Sequence, residues 1–184
     1  MSPLPLPGEK DYLFVYGTLR KCPDSRCQHN HRMYHVLAQY ADFAGKGTMR
    51  GRLFNVGEYP GAVLSTSAHE VIHKDMHDVV KGIVHDTVHD GVHNTAHDVV
   101  GDIVHDVVNG IVHGELYALR DRDHILRVLD EYEGCGPDDP QPTEFRRGRT
   151  TVFLETGQEV RAWVYLYNRP TRGAELIPSG NYLS

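Results

Sequence analysis

An α+β fold is what this chain of 184 residues predicts. Three observations carry that expectation. Aromatic and β-branched runs of strand length recur, several of them bounded by Gly, Pro or Asn. Two stretches, residues 33–40 and 121–130, place apolar side chains at helical spacing. The length suits one domain, or one domain with an insertion, and allows a sizeable core.

The first strand run is Tyr12-Leu13-Phe14-Val15-Tyr16, and it ends abruptly in Gly17-Thr18, followed by Leu19-Arg20. Gly17 permits backbone dihedrals other residues avoid and lets a ligand approach the main chain. Thr18 adds a hydroxyl beside freed N–H groups. Such a strand end makes a nest of donors suited to a carboxylate; an ordinary turn is the alternative. The next loop holds Cys22, Cys27, His29 and His31. A solvated loop fits it better than zinc, because a tight His-x-His after a cysteine pair is not a common zinc spacing.

Residues 33–40 read as a helix with Met33, Val36, Leu37 and Tyr40 on one face. Residues 42–49 lead into a second strand at 50–56. A turn at 57–61 precedes a third strand at 62–65. Residues 114–119 alternate as a strand. Residues 121–130 form a helix burying Ile125, Leu126, Val128 and Leu129, and it runs into Glu131-Tyr132-Glu133-Gly134. Breakers fill 135–143. Phe145-Arg146-Arg147 precedes a hairpin of strands at 150–154 and 160–167.

Between the third strand and Gly114 the composition changes. From Ala68 the chain falls into tetrads of the form Val-His-Asp-x, with a longer echo of twenty residues, as tandem duplication leaves. Residues 69–113 hold nine of the thirteen histidines. They carry eight acids against two lysines, a balance equal to the formal −6 of the whole chain. A period of four drifts around a helix but is commensurate with a strand. Asp90-Gly91 and Asn109-Gly110 are hairpin signals. Short strands, as a hairpin arm or a compact solenoid, are the favoured reading. A helix braced by His and Asp at i, i+4 and a disordered chain are the alternatives. Protonating every histidine would take the formal charge from −6 to +7.

No stretch approaches the apolar length of a membrane-spanning helix, and the Pro-rich start lacks the marks of a signal peptide. An odd count of three cysteines argues against a disulfide framework and fits a reducing cytoplasm. The negative charge disfavours nonspecific nucleic-acid binding.

Several pieces, taken together and in order, resemble the gamma-glutamylcyclotransferase-like superfamily, closest to its gamma-glutamylamine cyclotransferase and small bacterial branch. They are Val15-Tyr16-Gly17-Thr18-Leu19-Arg20, Gly51-x-Leu53-Phe54, Tyr59-Pro60-Gly61, Gly114-Glu115-Leu116-Tyr117, Leu129-Asp130-x-Tyr132-Glu133-Gly134, Ala162-Trp163-Val164-Tyr165 and Ser179-Gly180-Asn181-Tyr182. The resemblance implies a small mixed β-barrel of about six strands with flanking helices. It also implies release of 5-oxoproline from a gamma-glutamyl amine, with no cofactor. Tyr16, Gly17, Thr18 and Leu19 match the substrate loop, Glu133 matches the catalytic glutamate, and Tyr165 is implied to line the pocket. Phe145 stands where the family often has Tyr. The repeat has no counterpart in the resemblance.

The domain expectation is therefore an irregular leader at 1–10, a cyclotransferase-like domain at 11–67 and 114–184, and a repeat insertion at 68–113. In the implied reaction the substrate's α-amine attacks its own γ-carbonyl, so the enzyme mainly folds the glutamyl chain into position. One carboxylate then moves the proton; Glu133 is the expected group, with Glu131 the neighbouring alternative. Loops such as 135–143 are expected to set the leaving amine. The rival expectation is a scaffold or binding module. Its repeat would self-associate through Val-rich strand edges or hold a metal weakly, with His85, His89, His93 and His97 as possible ligands.

Overall fold

The computed structural model describes residues 10–21, 32–65 and 110–183. By contact the chain divides into residues 1–63 with 111–184 and residues 64–110; the barrel belongs to the first. The leader, the loop with Cys22, Cys27, His29 and His31, and the tetrads with His85, His89, His93 and His97 lie outside the described residues.

The described elements are β1 (Tyr12–Val15), α1 (Arg32–Tyr40), β2 (Ala41–Asn55), β3 (Pro60–Leu64), β4 (Ile111–Leu119), α2 (Arg122–Tyr132), β5 (Phe145–Leu154), β6 (Glu159–Tyr167) and β7 (Glu175–Leu176). Five strands close a barrel in the cyclic order β1, β4, β2, β5, β6 and back to β1. The β1–β6 seam is parallel and the other four are antiparallel, so the barrel is mixed. β3 and β7 pair with β2 outside the ring.

β1 is buried on both faces, which explains its continuous apolar run. Leu13 and Val15 pack on Leu37 of α1 and on Ile125, Leu126 and Leu129 of α2. Phe14 alternates to the other face. It pairs with Leu116, while Met49 pairs with Val112 and Val152, and these buried side chains fill the barrel interior.

Both helices end where specific groups satisfy them. Arg120 donates to the Gln39 carbonyl at 2.7 Å, near the end of α1, and its own N–H meets the Tyr40 carbonyl at 2.8 Å. Asp121 caps α2 by accepting from the His124 N–H. At the other end Glu133 is the C-cap, and Gly134 takes the left-handed φ of 61° that such an end favours.

Three strands are longer than expected. β2 starts at Ala41, so residues 42–49 are strand rather than connector. β5 starts at Phe145 and includes Arg146 and Arg147. β4 starts at Ile111, so Val112 and His113, counted in the last tetrad, belong to a barrel strand, and Val112 is fully buried.

Candidate functional site

A cavity of about 590 Å³ opens at the C-terminal end of β1, a size suited to a small-molecule ligand. Tyr16, Gly17, Thr18, Leu19, Glu133 and Tyr165, the site residues expected from the sequence, all line it. Glu58, Tyr59, Pro60, Tyr132, Glu144 and Phe145 complete much of the wall. Glu131 stays exposed on the last turn of α2 and does not line the cavity.

The loop after β1 is fixed from below. The Arg20 N–H closes a turn on the Gly17 carbonyl at 3.1 Å, and Leu19 is buried. Glu115 of β4, itself only 5% exposed, accepts from the Lys21 N–H at 3.2 Å and from the Tyr117 hydroxyl at 2.8 Å. The Arg20 guanidinium lies 3.8 Å from Glu115 and donates to Asn181 at 2.7 Å. The Gly-Glu-Leu-Tyr and Ser-Gly-Asn-Tyr pieces thus act as supports of this loop.

Of the two reasons expected for Gly17, the unusual dihedral does not hold, and a third appears. Its φ is not in the left-handed region. A Cβ there would stand 2.8 Å from Pro60 Cγ, so β3 presses on the loop and leaves room for hydrogen alone.

Glu133 reaches the cavity from the end of α2, where its N–H donates to the Leu129 carbonyl at 2.8 Å. Burial raises its carboxyl from 4.5 to about 7. Thr18 of the loop and Tyr132 of the helix end stand beside each other in the cavity wall. Burial also raises Tyr132, with the Glu133 charge acting in the same sense.

Two tyrosines of the cavity wall, Tyr16 and Tyr165, spend their hydroxyls elsewhere. Tyr16 donates to the Tyr165 carbonyl at 2.7 Å and accepts from the Ala62 N–H at 3.2 Å. The Tyr165 hydroxyl lies 2.9 Å from Asp130 and 3.2 Å from the Leu126 carbonyl, turned toward α2. Burial raises both phenols well above their usual range. Each lends the cavity its wall rather than a free donor.

The far wall also differs from expectation. No residue of 135–143 lines the cavity; Glu58, Tyr59 and Glu144 stand there instead. The Thr143 hydroxyl closes on the Phe145 carbonyl at 2.6 Å and Asn168 donates to the Glu144 carbonyl at 2.7 Å, which sets Glu144 at the start of β5. Burial, with Glu144 acting in the same sense, raises the Tyr59 phenol, and the Tyr59 and Phe145 rings lie 5.9 Å apart. These residues come together only through the fold, although Tyr59 sat inside a recognised motif.

Among the described residues no group of three or more His, Cys, Asp and Glu is placed to hold a metal ion, and no helix is long and apolar enough to cross a membrane.

Comparison with known proteins adds the family. A protein of Methanocaldococcus jannaschii, named "Putative gamma-glutamylcyclotransferase MJ1514", is 32% identical over 69 residues, 38% of this chain and 49% of that protein. The chain thus spans about half the length of that relative. Among solved structures, the uncharacterised protein PH0828 from Pyrococcus horikoshii has a TM-score of 0.47 at 18% identity, covering 94% of this chain and 89% of that one. A structure titled "Gamma-glutamyl cyclotransferase" has a TM-score of 0.46 at 13% identity, covering 91% and 70%. The family model described as gamma-glutamyl cyclotransferase, AIG2-like, matches residues 80–184, which takes in Glu133 and Tyr165 and begins after Tyr16–Leu19. With more than half of its length matched, the chain belongs to the gamma-glutamyl cyclotransferase, AIG2-like family.

Proposed function

We propose that the protein cyclises a gamma-glutamyl amine, releasing 5-oxoproline and the free amine. The observation that carries this reading is a buried carboxyl, Glu133, with a pKa of about 7, in one cavity with the Gly17-Thr18-Leu19 loop. A base with a pKa near the working pH is the best compromise between being ionised and driving proton transfer. The loop's backbone N–H groups hold the α-carboxylate, and the cavity walls fold the glutamyl chain so that its amine lies against its own γ-carbonyl.

The α-amine nitrogen then bonds to the γ-carbon, and Glu133 accepts the proton that nitrogen sheds. Glu133 returns it to the departing amine nitrogen as the original amide C–N bond breaks. The ring closed is 5-oxoproline, and Glu133 ends as it began. Glu133 must start ionised, so the rate rises with pH through about 7.

Assay of 5-oxoproline release over a panel of gamma-glutamyl amines tests the reading. Glu133→Gln keeps the shape and removes the base, and loses at least ~100-fold in turnover. Full turnover in that variant overturns the assignment.

A further inference from the structure

We propose that Tyr165 and Asp130 form a positioning pair that registers Glu133 against the substrate loop. The inference rests on the reading of Glu133 as the acid–base group. Tyr165 ties three parts of the site together. Its carbonyl accepts from Tyr16 at 2.7 Å, at the start of the Gly17 loop. The same Tyr16 hydroxyl accepts from Ala62 of β3 at 3.2 Å, the strand whose Pro60 presses on Gly17. Its own hydroxyl reaches Asp130 at 2.9 Å, one helical turn before Glu133.

Asp130 is built to hold that end. Its other oxygen accepts from Arg147 at 2.8 Å, and Arg147 lies opposite Tyr165 in the β5–β6 register. Its carbonyl accepts the Cys135 N–H at 2.9 Å, which closes the chain just past Glu133. The Tyr165 hydroxyl and the Asp130 carboxylate bond each other, the Leu126 carbonyl and Arg147, and both act through Glu133. Proton transfer and ring closure are sensitive to placement, and misplacement by about 1 Å can cost on the order of 100-fold.

The charges divide to match. Arg147 neutralises Asp130, whereas among the described residues no Lys, Arg or His lines the cavity beside Glu133. The groups sensing Glu133 are Tyr16, Tyr132 and Cys135, all raised chiefly by burial, with the Cys135 thiol pushed up to about 12. They stay neutral while Glu133 titrates. Loss of the Tyr165–Asp130 contact frees the helix end and admits water to Glu133.

The test compares Tyr165→Phe, Asp130→Ala, Asp130→Asn and the Tyr165→Phe/Asp130→Ala double variant. It reads kcat and KM for 5-oxoproline release. It also reads the Glu133 carboxyl titration by 13C NMR of protein labelled at glutamate, with Glu133→Gln identifying the resonance. Tyr165→Phe and Asp130→Ala are expected to lose ~10- to 100-fold in kcat with KM within about twofold. The double variant loses no more than Asp130→Ala, since the pair acts as a unit. Asp130→Asn still accepts from Tyr165 and keeps most of the rate. The Glu133 midpoint falls from about 7 toward 4.5 in Tyr165→Phe and Asp130→Ala, and stays in Asp130→Asn. Additive losses, a KM change with kcat intact, or an unmoved midpoint in Tyr165→Phe overturns the proposal. A wild type that releases no 5-oxoproline overturns the acid–base reading instead, and the NMR midpoints still decide the positioning role.

Discussion

Burial lifts the Glu133 carboxyl from 4.5 to about 7, and that shift acts on folding as well as on rate. The unfolded chain loses this proton near 4.5, while the folded chain keeps it until about 7. Between those values the folded state binds more protons, so stability falls as pH rises. By pH 8 the cost reaches about 3 kcal/mol. Glu133→Gln removes it. The variant is expected to match the wild type at pH 4 and to exceed it by up to that amount at pH 8, in urea unfolding at both values. Equal differences at the two pH values would show that Glu133 is not the linked group. The carboxyl itself was legible in Leu129-Asp130-x-Tyr132-Glu133-Gly134, and the loop in Tyr16-Gly17-Thr18-Leu19. The direction of a hydroxyl was not. Tyr16 and Tyr165 look like pocket tyrosines in the sequence, but their partners lie 149 and 35 positions away. Gly17 keeps an ordinary φ and is also fixed by Pro60, which is brought over it only by the β2–β3 pairing.

Elements show the same limit at longer range. Gly45 and Gly47 fall in the stretch expected only to lead into the second strand, yet both lie within β2. The register shifts between Phe43 and Gly45, a bulge of the kind that bends a strand around a barrel. Gly47 sits where β2 meets β5, paired with Leu154. A Cβ at Gly47 would stand 2.8 Å from the Phe153 carbonyl oxygen and 3.0 Å from Val152 Cγ1. Glycine here serves barrel closure, which no local pattern reveals. Gly47→Ala must push the two backbones apart and is expected to cost about 1–3 kcal/mol in chemical denaturation. Gly148→Ala on β5 is the control. Its Cβ would meet the Leu166 side-chain terminus at 3.4 Å, and the expected cost is under about 1 kcal/mol. Equal costs for the two would remove the seam as the explanation. Helices were easier to read. Met33, Val36, Leu37 and Tyr40 pack on the core at the expected spacing, because a helix is patterned by its own neighbours.

At the scale of the whole molecule, the two described halves of the chain interleave. β1 lies between β4 and β6, and β2 lies between β4 and β5. Residues 80–184 alone supply β4 through β7 and cannot close the ring, so the barrel needs the N-terminal strands as well. The sequence placed the return to the barrel at Gly114 because Ile111-Val112-His113 continues the repeat's alternation; β4 uses that same alternation to bury Val112. β3 and β4 flank β2, so Leu64 and Ile111 leave and re-enter on either side of one strand. Two strand spacings, about 10 Å, separate those positions. About ten Gly and Ser residues span that gap. We propose that replacing residues 69–109 by such a linker leaves the barrel folded. Shortening a connection about fourfold returns about 1 kcal/mol of closure entropy, so stability is expected to hold or rise by that amount. The deletion removes eight acids and two lysines, taking the formal charge from −6 to zero. A chain of zero net charge associates more readily, so the measurement belongs in dilute protein away from its isoelectric pH. Cooperative urea unfolding together with 5-oxoproline release within about threefold of the wild type is the expected result. Loss of the cooperative transition would show that residues 69–109 belong to the barrel's folding unit.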